Sequence, residues 1–222
     1  MIQVYRLSFT HESGQFNLNL PELDIAQGET VAIIGPSGSG KTTLLNLLAG
    51  ILQPTAGSIV IVDMTLSQLD DGTARNFRAD NIGLIFQEFE LLEYLNVLDN
   101  ILLPFRINKN LQLTSEVRHK AEQLAQRTGI ADKLERHPDQ LSQGERQRVA
   151  VCRALVTSPK LLLADEPTGN LDPENKSIVL DLLLDIAQEQ NTTLLTVTHD
   201  HELVSRFDRV IDFARLAEQA AA

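Results

Sequence analysis

The sequence predicts an α/β domain with a helical insertion, and three observations predict it. Short apolar strands alternate with helical stretches, the pattern of helices layered on a sheet. TVAIIG, LLLAD and TLLTVTH read as buried strands, each ending where a glycine or a polar residue appears. The stretch from about 88 to 160 is instead rich in helical patterns and poor in β-branched runs. A chain of 222 residues, 43% of them hydrophobic, suffices for one domain with a real core. Residues 1–87 and 161–222 are expected to form the α/β core and 88–160 a helical subdomain.

Each element has its own signal. TVAIIG runs into GPSGSGKT, which satisfies G-x-x-x-x-G-K-[ST], and then into the helix TTLLNLLAG. Strand, glycine loop and helix together make the context of a phosphate loop. The glycines let successive N–H groups point inward at phosphate oxygens, and the helix adds its positive end. Lys41 then reaches the β- and γ-phosphates, and Thr42 offers a hydroxyl to Mg²⁺. In GLIFQEFELL, Gln87 stands at the entry to the insertion, where an amide can contact Mg²⁺ or an attacking water. TSEVRHKAEQLAQRTGI has Ser or Thr as a start signal and Gly129 as a stop. LSQGERQRVA, Leu141 to Ala150, is a second glycine motif, with Ser142 placed to cap the helix that follows.

LLLADEP ends a buried strand in two carboxylates, which is costly unless they face a cation or a solvent-filled site. Asp165 is the natural Mg²⁺ partner, and Glu166 extends further, as a general base for water. LDPENKSIVLDLLLDI begins with Asp172 as N-cap and Pro173 at the first helical position. TLLTVTH brings His199 to the same end of the sheet, able to bond a γ-phosphate or the attacking water. In open α/β sheets ligands bind beyond the carboxyl ends of the strands, where all these residues fall.

Composition narrows the classes. No apolar run approaches the ~20 residues of a membrane span, and MIQVYRLSFT has no basic-then-apolar signal pattern. A single cysteine, Cys152, among Val149, Ala150, Val151 and Ala154, is expected to be packed, in a reducing compartment. The net charge of −11 argues against a nucleic-acid partner and against direct adhesion to an anionic membrane.

The ordered set GPSGSGKT, IFQEF, LSQGERQRVA, LLLADEPTGNLD and TVTHD resembles the ATP-binding cassette (ABC) ATPases over essentially the whole chain. That resemblance implies a P-loop NTPase fold of ABC ATPase type, a parallel-sheet core with an antiparallel β edge and an inserted helical subdomain. It implies ATP hydrolysis with Mg²⁺. Gly35, Pro36, Ser37, Gly38, Ser39, Gly40, Lys41, Thr42 and Thr43 would hold the nucleotide. Thr42, Gln87 and Asp165 would hold the metal, and Glu166, His199, Lys41 and Gln87 would act in catalysis. The family's signature loop closes over ATP bound to a second chain. Ser142 and Gly144 would therefore meet the partner copy's ATP, and Asp172 would act across the head-to-tail dimer. An integral membrane subunit is the other implied partner, which places the chain on the inner face of the cytoplasmic membrane.

The sequence departs from the family pattern in places. The usual LSGGQ is LSQGE here, with Gln143 and Glu145. LSFTH puts His11 where many relatives stack adenine on a larger aromatic ring, with Phe9 and Phe16 nearby. VIDFARLAEQAA lacks the usual glycine-containing turn. ADEPTGNLD and FQEFELLEYLNVLDNILLP look like the subgroup serving lipoprotein release, macrolide export and cell division (the LolD, MacB and FtsE group). Another ABC importer or exporter, or a cassette acting on nucleic acid, is the alternative. Phe89, Leu91, Leu92, Tyr94, Leu95, Val97 and Leu98 are expected either to be core or to form a groove for a membrane subunit's helix.

Overall fold

The structure, a computed structural model, describes residues 1–11, 16–169, 171–200 and 203–218. It opens with a hairpin, β1 (Ile2–Thr10) and β2 (Asn17–Ile25), then β3 (Thr30–Ile34) and α1 (Lys41–Leu48). β4 (Ala56–Ile61), β5 (Met64–Thr65), α2 (Asp71–Asn81) and β6 (Ile82–Ile85) follow. Between β6 and the next strand lie α3 (Val97–Ile101), α4 (Leu103–Ile107), α5 (Ser115–Arg127) and α6 (Gln143–Leu155). The chain then returns through β7 (Leu161–Asp165), α7 (Pro173–Gln190), β8 (Thr193–Val197), β9 (Arg209–Asp212) and α8 (Phe213–Glu218).

Two sheets form. The antiparallel strands make a four-stranded sheet of their own, ordered β2-β1-β4-β5, and the parallel strands a five-stranded sheet ordered β6-β7-β8-β3-β9. β7 and β8 are buried along their whole lengths, as strands covered on both faces must be. Successive side chains point to opposite faces, so Leu162 and Ala164 enter one apolar cluster while Leu161 and Leu163 enter the other. The first cluster runs unbroken from α5 through α6 and α7 to the sheet; the second joins the sheet, α1 and the antiparallel layer.

The helix signals hold where the residues stand. Thr114 caps α5 by accepting from Val117 N–H at 3.4 Å, and Gly129, at φ 68°, follows its end. Asp172 caps α7 by accepting from Asn175 N–H at 3.1 Å, with Pro173 at the first position. Ser142 and Glu145 form a reciprocal capping box on α6: Ser142 N–H donates to Glu145 Oε2 at 2.8 Å, and Glu145 N–H to Ser142 Oγ at 3.3 Å. Cys152 is fully buried, and burial pushes its thiol up to about 12, so it stays a packed, protonated group.

Candidate functional site

The order β6-β7-β8-β3 sets four carboxyl ends side by side. Gln87 follows β6, Asp165 ends β7 with Glu166 next, His199 follows β8, and the glycine loop follows β3. Together they line one open cavity of about 540 Å³. Gly35, Ser37, Gly38, Gly40, Lys41, Thr42 and Thr43 form its floor, with His11, Phe16 and Val197 completing the wall. Pro36 and Ser39 belong to the loop without lining the cavity, and the Ser39 hydroxyl is buried with no hydrogen-bond partner among the described residues.

Gly40 is the N-cap of α1 at φ 102°, and among the described residues no side chain caps the amides there with a hydrogen bond. A Cβ at Gly40 would lie 2.5 Å from Phe16 Cζ, which shows how closely that ring sits on the loop. Lys41 is buried and spans the loop, its Nζ donating to Gly35 O and Pro36 O, each at 2.8 Å. The ammonium is thus already aimed at the position phosphate oxygens take in such a loop.

Asp165 is only 9% exposed, and burial pushes its carboxyl above the usual aspartate range. A hydrogen bond with Thr42 opposes that rise, the neighbouring Glu166 charge adds to it, and Lys41 works against it. Among the described residues no group of three or more His, Cys, Asp and Glu side chains gathers into a protein-only metal cage. The set still suits Mg²⁺, which takes oxygen ligands from one or two carboxylates and leaves the remaining positions to substrate phosphates. The buried Asp165 carboxylate beside the Thr42 hydroxyl is that kind of half-site.

Glu166 sits at φ 47°, a left-handed conformation costly for a residue with a Cβ. Its N–H donates to Val197 O at 2.9 Å, which fixes the turn off β7. The carboxylate reaches the other way: Oε1 accepts from His199 Nδ1 at 2.9 Å, and Oε2 lies 3.4 Å from His199 N. A carboxylate only accepts, so in this contact His199 Nδ1 is the donor. The pair presents a base and its orienting group to the cavity.

His11 is exposed at the cavity edge and meets Phe9 edge-on, ring centroids 5.3 Å apart at 80°. Phe16 shares that edge, so the aromatic surface beside the loop comes from both rings.

Ser142, Gly144 and Asp172 do not line this cavity. They stand together at the starts of α6 and α7. Asn175 Nδ2 donates to Asp172 Oδ2 at 2.6 Å, Arg148 donates to Asn175 Oδ1, and a Cβ on Gly144 would fall 3.0 Å from Asn175 Cγ. Gly144 therefore has a cause within its own chain, the close passage of Asn175. Gln143 is exposed beside Ser142, and Glu145 is absorbed by the capping box, so neither departure in LSQGE disturbs the helix start.

A second cavity, of about 790 Å³, opens between α2, β6 and α4. The apolar stretch after Gln87 does not form it. Val97 and Leu98 are core, because α3 turns them inward, Leu91 packs against the same cluster, and Tyr94 is 76% exposed. Phe86, Leu103, Pro104 and Ile107 supply the apolar wall instead, with Arg75, Arg78 and Arg153 at its polar positions. Arg153 is the residue that sequence reasoning passed over. Its one signal is a charge inside the apolar run VAVCRALV.

A family model described as "ABC transporter" matches residues 18–169. The chain is similar to the lipoprotein-releasing system ATP-binding protein LolD of Hydrogenovibrio crunogenus, 44% identical over 188 residues, covering 85% of this chain and 81% of that one. It is 42% identical over 214 residues to the macrolide export ATP-binding/permease protein MacB of Rhodopirellula baltica, covering 95% of this chain and 31% of that longer protein. Among solved structures, the dimeric post-hydrolysis state of the ATP-binding cassette MJ0796 bound to ADP and Pi superimposes with a TM-score of 0.87. The two share 34% identity over 96% of this chain and 94% of that one.

Proposed function

The chain belongs to the ABC transporter family and is an ATP-binding, ATP-hydrolysing motor subunit; from that premise we propose that it works as one of two head-to-tail copies. We further propose that it drives a separate membrane subunit of the lipoprotein-release and macrolide-export type. One observation carries the motor reading, that four adjacent strand ends deliver Lys41, Thr42, Gln87, Asp165, Glu166 and His199 to one cavity, and the likeness to LolD and MacB supports the choice of partner. No helix among the described residues is long and apolar enough to cross a membrane.

The geometry supports the following roles. The glycine-loop amides and Lys41 bind the phosphates, and the His11–Phe16 edge faces the base. Mg²⁺, when bound by Thr42, Asp165 and Gln87, supplies positive charge to the phosphate oxygens. Glu166, held by His199, takes a proton from a water as its oxygen attacks the γ-phosphorus in line. The bond from that phosphorus to the β–γ bridging oxygen breaks, leaving ADP and phosphate. Lys41 stabilises the charge that builds on the transferred group. Ser142, Gly144 and Asp172, grouped away from this cavity, serve the partner copy's ATP.

The test is a pull-down of tagged Glu166→Gln protein from native membranes with ATP. Recovery of a membrane subunit with a large extracytoplasmic domain supports the reading. An importer-type subunit overturns the subgroup, and nucleic acid or ribosomes without a membrane subunit overturns the transport role.

A further inference from the structure

Gln87 is bracketed. On one side β6 ends at Ile85, and on the other the chain enters a left-handed kink, Phe89 at φ 55° and Glu90 at φ 50°. Two consecutive residues with Cβ atoms rarely hold such angles without outside support. Local support is slight: Phe89 N–H to Phe86 O is 3.4 Å, and Glu90 N–H reaches back only to Glu88 O. The support comes from α6. Arg153, in its last turn and buried, donates from Nη2 to Phe89 O at 2.6 Å and from Nη1 to Glu90 O.

We propose that Arg153 is a positioning residue: its guanidinium fork clamps the Phe89–Glu90 kink and thereby sets Gln87 in the nucleotide cavity. The inference rests on the nucleotide reading of that cavity. The fork matters because two adjacent carbonyls need two donors in a fixed plane, which guanidinium has and ammonium lacks. Burial pulls the Arg153 pKa down to about 10, with the Glu90 charge opposing the fall, so the cation persists at neutral pH in a place that penalises it. A residue kept only to fill that volume has no need of the charge.

The experiment uses the full chain and compares Arg153→Lys and Arg153→Met, each alone and combined with Phe89→Gly and Glu90→Gly. Three quantities are read: kcat and KM for MgATP hydrolysis, binding of a fluorescent ATP analogue, and Tm. Arg153→Lys is expected to lower kcat about tenfold with KM within about twofold, since Gln87 acts on the reacting group more than on ground-state binding. Glycine takes left-handed angles freely, so the double glycine change is expected to return kcat at least about threefold toward the unmodified chain. Unchanged kcat with a lowered Tm in Arg153→Lys overturns the inference, as does a loss of kcat that the glycines fail to recover. The lysine variant keeps the charge and carries the test if the methionine variant does not fold. If the unmodified chain neither binds nor hydrolyses MgATP, the nucleotide reading falls and this inference falls with it.

Discussion

Replacing Asp165 by Asn should make the nucleotide-free protein more stable, not less. The carboxylate is 9% exposed, and burial dominates the causes that move its pKa, raising it against the Thr42 hydrogen bond and the Lys41 charge. The neighbouring Glu166 charge pushes the same way as burial. A folded-state pKa above the unfolded value means stability that is complete below the ordinary aspartate range and lost as pH rises through the folded value. Asn keeps an oxygen for the Thr42 bond and has no such loss. Removing a mismatched buried charge commonly contributes about 0.5–2 kcal/mol. For a chain of this size each kcal/mol moves Tm by roughly 2–4 °C, so a rise of about 1–8 °C is expected. The assay is thermal unfolding in chelator without nucleotide, from pH 7.5 down to the ordinary aspartate range. The gap between the two proteins should be widest at pH 7.5 and should close as pH falls through the raised Asp165 value. Adding ATP with Mg²⁺ should then stabilise the unmodified chain further than ATP in chelator does, while Asp165→Asn shows no difference between the two. A variant that melts at or below the unmodified chain at pH 7.5, or a gap that does not narrow on acidification, would refute the reasoning.

Glu166→Gln removes the base and turns the His199 contact into a neutral hydrogen bond; turnover should fall by about 10²–10⁴ while ATP-analogue binding stays within about threefold. Gly40→Ala places a Cβ 2.5 Å from Phe16 Cζ at φ 102°, and equilibrium binding of a fluorescent ATP analogue should weaken at least about tenfold. Adding Phe16→Ala should recover only part of that loss, because the backbone angle remains. Ser142→Ala deletes the α6 cap at about 1 kcal/mol, lowering Tm by roughly 2–4 °C, and in a Glu166→Gln background size-exclusion chromatography should show less ATP-dependent dimer.

What the sequence made legible was local. The strand–loop–helix run at GPSGSGKT, the caps at Thr114, Ser142 and Asp172, and the carboxylates closing LLLAD are each written within a few neighbouring residues, so their spacing suffices. The convergence of Gln87, Asp165, Glu166 and His199 was inferred from strand ends, and it is the order β6-β7-β8-β3 that sets them side by side. Two features escaped because they depend on distance along the chain. For the apolar run after Gln87 the local pattern leaves core and groove both open, and only the fold decides: α3 turns Val97 and Leu98 into the core, while the cavity wall comes from Phe86 and α4. Arg153 meets Phe89 and Glu90 from more than 60 residues away, which no local pattern records.

α6 is where these two kinds of information meet. Its first turn carries Ser142 and Gly144 and is fastened to the start of α7 through Arg148, Asn175 and Asp172. Its last turn carries Arg153 and is fastened to the loop that bears Gln87. Between them run 13 helical residues, about 20 Å at 1.5 Å each, buried on all sides from Val149 to Leu155 and packed between the sheet, α5 and α7. A packed helix of that length transmits displacement rather than absorbing it. Under the two-copy reading, one end meets the partner's nucleotide and the other sets a residue at the chain's own. Under that reading, closure at Ser142 and the placement of Gln87 are expected to move together.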